Sequence, residues 1–216
     1  NSSINLSLNL VHVAEVDFDE SGNYDSYLTK LKNKTDGIMD EVHIWRDQYN
    51  ADMVQLFVAS TVTFSCGVAF QMNPDDFNPN FEEYAFSVVT SICSLFQYAA
   101  THEFGHNMGS QHNRENSNPS NPPVFDYSYG WRFVGNSGNT WRTVMAYLPG
   151  TLIPHLSNPN VIYDGQPTGV PLSNNNPAHN ALSHSNTAPL VSNFRCSNPP
   201  PSVPPNIGVS PNKAAI

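Results

Sequence analysis

The chain has 216 residues, 39% of them hydrophobic and 12% charged, which is enough for one sizeable core and too apolar for a disordered polymer. Nine Lys plus Arg against eighteen Asp plus Glu give a net charge of −9, which argues against nucleic acid and anionic membrane as partners. No run approaches the roughly 20 apolar residues that a spanning helix needs.

Ile4, Leu6, Leu8 and Leu10 alternate with polar residues, a period-2 pattern that predicts a half-buried strand over 4–16. Asp17-Phe18-Asp19-Glu20-Ser21-Gly22 opens like an EF-hand loop, but Leu28 stands at the twelfth position where a bidentate Glu is needed. An acidic turn is expected there, and Ca2+ is not indicated. The spacing of Tyr27, Leu28 and Leu31, then of Ile38, Met39, Val42 and Trp45, predicts two short helices broken near Thr35-Asp36-Gly37. The apolar run 53–59 predicts a central strand, and 67–71 and 85–90 two more. Leu95, Tyr98, Ala99, His102 and His106 share one side of a predicted helix over 94–108, which Gly109 ends. Residues 110–140, rich in Asn, Ser, Pro and Gly, should be irregular and anchored by Phe125, Tyr127, Tyr129, Trp131 and Phe133. A helix over 178–194 is expected to kink or start a new turn at Pro189, and the Pro-rich stretch 197–216 predicts a linker. His155, His179 and His184 lack metal spacing relative to one another, so loop or helix-surface positions are expected for them. Cys66, Cys93 and Cys196 allow at most one disulfide within the chain and leave one odd thiol.

Residues 102–112 carry the chemistry: His102-Glu103-Phe104-Gly105-His106-Asn107-Met108-Gly109-Ser110-Gln111-His112. On a helix, His102 and His106 project from one face and can converge on one metal ion. Glu103 is turned about 100° from His102, within reach of a metal-bound water but poorly placed as a ligand, and so suits a general base. Gly109 can adopt a positive φ and swing His112 back toward the same ion. Three neutral imidazoles with an open fourth position are the donor set of a catalytic Zn2+. At this composition a bare His-Glu-x-x-His arises by chance about once in a hundred chains, and the motif with Gly109 and His112 on the order of once in 50,000. Chance is therefore a poor explanation.

This motif, with Thr143-Val144-Met145-Ala146-Tyr147 downstream, resembles the signature of the metzincin zinc endopeptidases. The surrounding residues are most similar to bacterial secreted reprolysin-like (adamalysin-like) metallopeptidases: 36–43, Cys66-Gly67-Val68-Ala69-Phe70, 85–89 and 153–159. The resemblance implies an α/β (α+β) metzincin catalytic domain over 1–196: a mixed twisted sheet with an antiparallel edge strand and the active-site helix in an upper part, 1–109, and an irregular C-terminal subdomain, 110–196. It implies His102, His106 and His112 as ligands of one catalytic Zn2+, Glu103 as base and proton shuttle, and Met145 as an apolar floor beneath the metal. Cys66–Phe70 would pair with an extended protein or peptide substrate, and 148–160 would wall the pocket for the side chain after the cleaved bond. Tyr147 resembles the astacin and serralysin tyrosine that stabilises the oxyanion. Asn113 stands where reprolysin-like enzymes commonly carry Asp, so its contact is expected to differ. The resemblance leaves Cys196 without a counterpart and points to a Cys66–Cys93 disulfide. The family's first strand and helix, which precede the segment matching 4–16, have no counterpart here, so the natural protein is expected to extend further at its N-terminus, and the sheet to have a gap between 4–16 and 53–59 unless another segment fills it.

The reading is a secreted, monomeric zinc metalloendopeptidase that hydrolyses peptide bonds. A catalytically silent zinc-containing adhesion module is the rival, and its expected mark, a damaged base or ligand, is absent from 102–112.

Overall fold

A computed structural model describes residues 2–59, 65–195 and 214–215. In chain order its elements are β1 (Glu15–Val16), α1 (Tyr24–Lys32), α2 (Glu41–Gln48), β2 (Val54–Val58), β3 (Gly67–Ala69), β4 (Phe86–Thr90), α3 (Ser91–Gln97), α4 (Ala99–Asn107), β5 (Arg132–Val134), β6 (Thr140–Arg142), β7 (Thr151–Leu152), β8 (Ile162–Tyr163), β9 (Gln166–Pro167), α5 (Asn180–Val191) and β10 (Ala214–Ala215). They fall into two compact units.

The first unit comprises Ser7–Phe70, Pro79–Asn107 and the residues from Leu190 onward. Its five-stranded sheet has the order β1-β10-β2-β4-β3, with β2 and β4 parallel and β3 antiparallel to β4 at the edge. Every residue of β4 is buried, as expected of a strand covered on both faces. On one face Leu56, Val58, Phe86 and Val88 pack with Tyr27 and Leu31 of α1 and Val42 of α2. The alternate residues meet α4: the Gln55 side-chain amide donates to Ser87 Oγ (2.9 Å) and to the Ala100 carbonyl (3.2 Å). Asn23 caps α1 by accepting from the Ser26 N–H, with Ser26 Oγ returning to the Asn23 N–H. Arg46 is buried beneath this sheet and donates to the carbonyls of Ala51, Asp52 and Glu82, its guanidinium lying 4.8 Å from the Phe86 ring centre. A Cys66–Cys93 disulfide ties the entry of β3 to α3.

The second unit comprises Asn1–Leu6, Gln71–Asn78 and Met108–Pro189. It holds the three-stranded sheet β5-β6-β7, the β8–β9 hairpin and most of α5, with long irregular connections. Val144, Met145 and Leu156 form its small apolar cluster, against which Ile4 packs. Ser2 is fastened beside it: its Oγ accepts from the Leu156 N–H and its carbonyl from the Asn158 side chain, both at 2.8 Å.

Three expectations are corrected. The strand over 4–16 shrinks to β1, and residues 5–14 run without regular structure, Leu8 and Leu10 exposed, because alternation marks two faces but supplies no neighbouring strand. The gap expected between 4–16 and 53–59 unless another segment fills it is filled by β10, which stands between β1 and β2, as that expectation allows. The helix over 94–108 is two helices, α3 and α4, because Tyr98 adopts a left-handed conformation (φ 52°). That break rotates Leu95 out of line with the histidines and leaves it exposed. His184 is buried within α5 rather than on its surface. Both short helices, the strands near 54–58 and 86–90, the acidic turn near 20–22 and a helix bearing Pro189 in its last turn are found. Cys196 and the linker stretch 197–213 lie outside the described residues.

Candidate metal centre and active site

The helix that carries the motif is fixed at its end. Asn107, fully buried, donates its side-chain amide to the carbonyls of Phe70 (2.8 Å) and Phe86 (3.1 Å), which clamps the last turn of α4 to the sheet. Asn107 carries no mark in the sequence, since its role as an anchor depends on a burial that only the packed helix gives it. His102 and His106, one turn apart on α4, have ring centres 4.9 Å apart at an interplanar angle of 78°.

Beyond α4 the chain turns at Gly109, whose φ of +84° is unfavourable for any residue with a Cβ. A Cβ there would also lie 2.3 Å from Val124 Cγ1. The next residues are held by the irregular segment and by α5. Ser110 Oγ and His184 Nε2 form a buried 2.8 Å hydrogen bond, and Thr187 Oγ1 donates to the Met108 carbonyl. The Gln111 N–H donates to the Ser128 carbonyl and its carbonyl accepts from the Gly130 N–H. These bonds set the direction in which His112 leaves the turn. The ligand atoms of His102, His106 and His112 all lie within 4.8 Å of one another, a separation that one tetrahedral ion with metal–nitrogen bonds of roughly 2.0–2.1 Å can span.

Glu103 is 5% exposed, and burial away from water pushes its carboxyl pKa up to about 8. It lies against the edge strand: a Cβ added to Gly67 would come 2.8 Å from Glu103 Oε1 and 2.7 Å from the Val88 carbonyl. Only glycine fits there. Tyr147 is half exposed, its ring centre 3.9 Å from that of His112. Its N–H donates to Asn113 Oδ1 at 2.9 Å, so Asn113, which differs from the residue expected after the third histidine, fastens the segment bearing Tyr147. Asn113 also donates to Glu115 Oε2 and Asn116 Oδ1. Met145 is fully buried beside Val144 and Leu156. His155 and His179 are partly buried and stand outside the three-histidine group.

The profile of Metallo-peptidase family M12, of the reprolysin type, matches residues 1–157. A peptidyl-Asp metalloendopeptidase of Stenotrophomonas maltophilia is 34% identical over 179 residues, covering 82% of this chain and 40% of that protein. One from Xanthomonas campestris pv. campestris is 32% identical over 198 residues, covering 90% of this chain and 43% of that protein. The chain thus spans less than half the length of these curated relatives. A solved structure described as a chaperone–substrate complex superposes with a TM-score of 0.57 at 18% identity, covering 82% of this chain and 28% of that one, which is a likeness of fold alone. A histidine triad positioned to hold a metal ion and a family match over most of the sequence agree: this chain belongs to metallopeptidase family M12.

Proposed function

We propose that the chain is the catalytic part of a secreted zinc endopeptidase that cuts proteins beside aspartate residues. The observation that carries this reading is the convergence of the His102, His106 and His112 ligand atoms next to a buried Glu103. Three imidazoles are a donor set suited to zinc, which when bound supplies Lewis acidity toward a carbonyl and lowers the pKa of water toward roughly 7. Glu103 takes the proton of the attacking water and hands it to the leaving amine. Burial raises its carboxyl above the ordinary carboxylate range in the metal-free fold, which favours its holding the proton between the two transfers. Tyr147, held by Asn113, donates its hydroxyl to the developing oxyanion. Met145 gives the site an apolar floor. β3, at the sheet edge, binds the substrate as an added antiparallel strand through main-chain groups. Preference for aspartate follows the names of the relatives. The Cys66–Cys93 disulfide supports an oxidising, extracellular location.

The test is cleavage of a quenched fluorescent peptide library by the purified, zinc-loaded chain. Hydrolysis should stop on chelation and return with zinc. A folded chain carrying one zinc that cleaves no peptide would refute the reading.

A further inference from the structure

The unit formed by Asn1–Leu6, Gln71–Asn78 and Met108–Pro189 contains only three Lys or Arg residues, Arg114, Arg132 and Arg142. Arg114 and Arg132 line one cavity, and Arg142 is the cross-strand neighbour of Arg132. Arg132 and Arg142 stand directly opposite each other across β5 and β6, a pairing of like charges that disfavours the sheet. Both reach into the methionine turn and the segment after it: Arg132 Nη1 donates to the Leu148 carbonyl, and Arg142 donates to the carbonyls of Ala146 and Gly150. Arg114 stacks on Tyr129 at 3.9 Å and donates to the Asp126 and Pro177 carbonyls, while its buried Nε has no partner among the described residues.

Against these cations stands little negative charge. Among the described residues the one carboxylate within ion-pair distance of Arg132 or Arg142 is Glu115, 3.3 Å from Arg132, with its side chain 68% exposed. A cavity of about 300 Å³ opens here, lined by Asn113, Arg114, Glu115, Trp131, Arg132 and Asn176. It starts one residue past His112, and Asn113 in its wall is bonded to Tyr147, whose ring lies against His112. A space of this size takes one amino-acid side chain, and its lining offers guanidinium and amide N–H groups, the donors that suit a carboxylate.

We propose that this cavity receives an acidic side chain of the substrate, with Arg132 meeting its carboxylate and Glu115 holding Arg132 until the substrate displaces it. The inference rests on the peptidase reading and assigns its specificity to particular residues. A neutral isostere forfeits the charge-assisted pair and leaves donors unsatisfied, so discrimination falls on charge rather than shape.

The experiment compares peptides that differ only in Asp or Asn beside the scissile bond. Wild type should favour Asp by at least tenfold in kcat/KM. Arg132→Gln should lower that ratio at least tenfold while cleavage of the Asn peptide stays within about threefold. Glu115→Gln, which removes the competing carboxylate, should raise kcat/KM on the Asp peptide. Equal use of both peptides by wild type, or an equal loss on both in Arg132→Gln, would overturn the proposal, since a merely structural bond to Leu148 would leave the ratio unmoved. Binding of the same two peptides to the zinc-loaded Glu103→Gln chain, by fluorescence anisotropy, needs no turnover. A preference for the Asp peptide abolished by adding Arg132→Gln supports the cavity even if the peptidase reading fails, and no preference refutes it.

Discussion

Replacing Gly109 with alanine separates two costs that the fold imposes at the turn between the second and third histidines. The φ of +84° alone makes a Cβ unfavourable, by roughly 1–2 kcal/mol. The new methyl would also lie 2.3 Å from Val124 Cγ1 and 2.6 Å from Val124 Cβ. Val124 cannot swing clear, because it is 5% exposed and its N–H donates to the Gly109 carbonyl at 3.0 Å. Overpacking of this kind adds about 1–3 kcal/mol, for a total of about 2–5 kcal/mol. Gly138 is the control, with a φ of +81° and nothing within 4 Å of an added Cβ, so Gly138→Ala carries the conformational cost alone. Urea denaturation of both metal-free variants reads the difference, and thermal midpoints should drop roughly 2–4 °C per kcal/mol. Because the collision pushes the turn that aims His112, Gly109→Ala should also weaken zinc affinity about 10–100-fold, the range seen when the support of a metal ligand is disturbed. Gly138→Ala should not. Equal destabilisation of the two variants, or unchanged zinc affinity in Gly109→Ala, would show that Val124 does not constrain this turn.

Arg46→Met should cost about 3–5 kcal/mol in urea denaturation, because three partly buried carbonyls lose a charged donor that is itself buried; a change below about 1 kcal/mol would contradict the role given to Arg46. Reducing the Cys66–Cys93 disulfide, which closes a sequence separation of 27, should lower stability by about 3–4 kcal/mol on the loop-closure argument, read as a shift in midpoint with and without reductant. Burial holds the imidazoles of His12, His43 and His179 below the usual histidine range. The unfolded chain takes up these protons near pH 6.5 and the fold only at lower pH, so their contribution is full above about 6.5 and is lost as pH falls through the folded values. In the metal-free Glu103→Gln chain, which lacks the buried carboxyl whose raised value acts in the opposite direction, the urea midpoint should therefore be lower at pH 5 than at pH 7.5, and an unchanged midpoint would contradict this.

The features legible in the sequence are those with a local cause. Tyr27 and Leu31 on one helical face, the apolar run at 54–58 and the spacing of His102, Glu103 and His106 each announce an element or a chemistry by periodicity alone. What stayed hidden depends on partners distant in the chain. Residues 4–10 alternate like a strand, yet most of that segment finds no neighbour to pair with. Tyr98 breaks its helix with a left-handed conformation that no glycine advertised. His184 is far from the motif in sequence, and its bond to Ser110 appears only once α5 is laid beside the turn. The charge cluster was equally invisible: Arg114, Arg132 and Arg142 have no mutual spacing that marks a site, and only the β5–β6 register sets the last two face to face.

Glu103→Gln at matched zinc content shows whether Glu103 moves the proton in a zinc-dependent peptide hydrolysis. Both proteins should carry one zinc per chain and melt within a few degrees of each other, with kcat lower by about 10²–10⁴-fold in the variant. A variant that holds its zinc and cleaves the same peptides within a few-fold of wild type would contradict it.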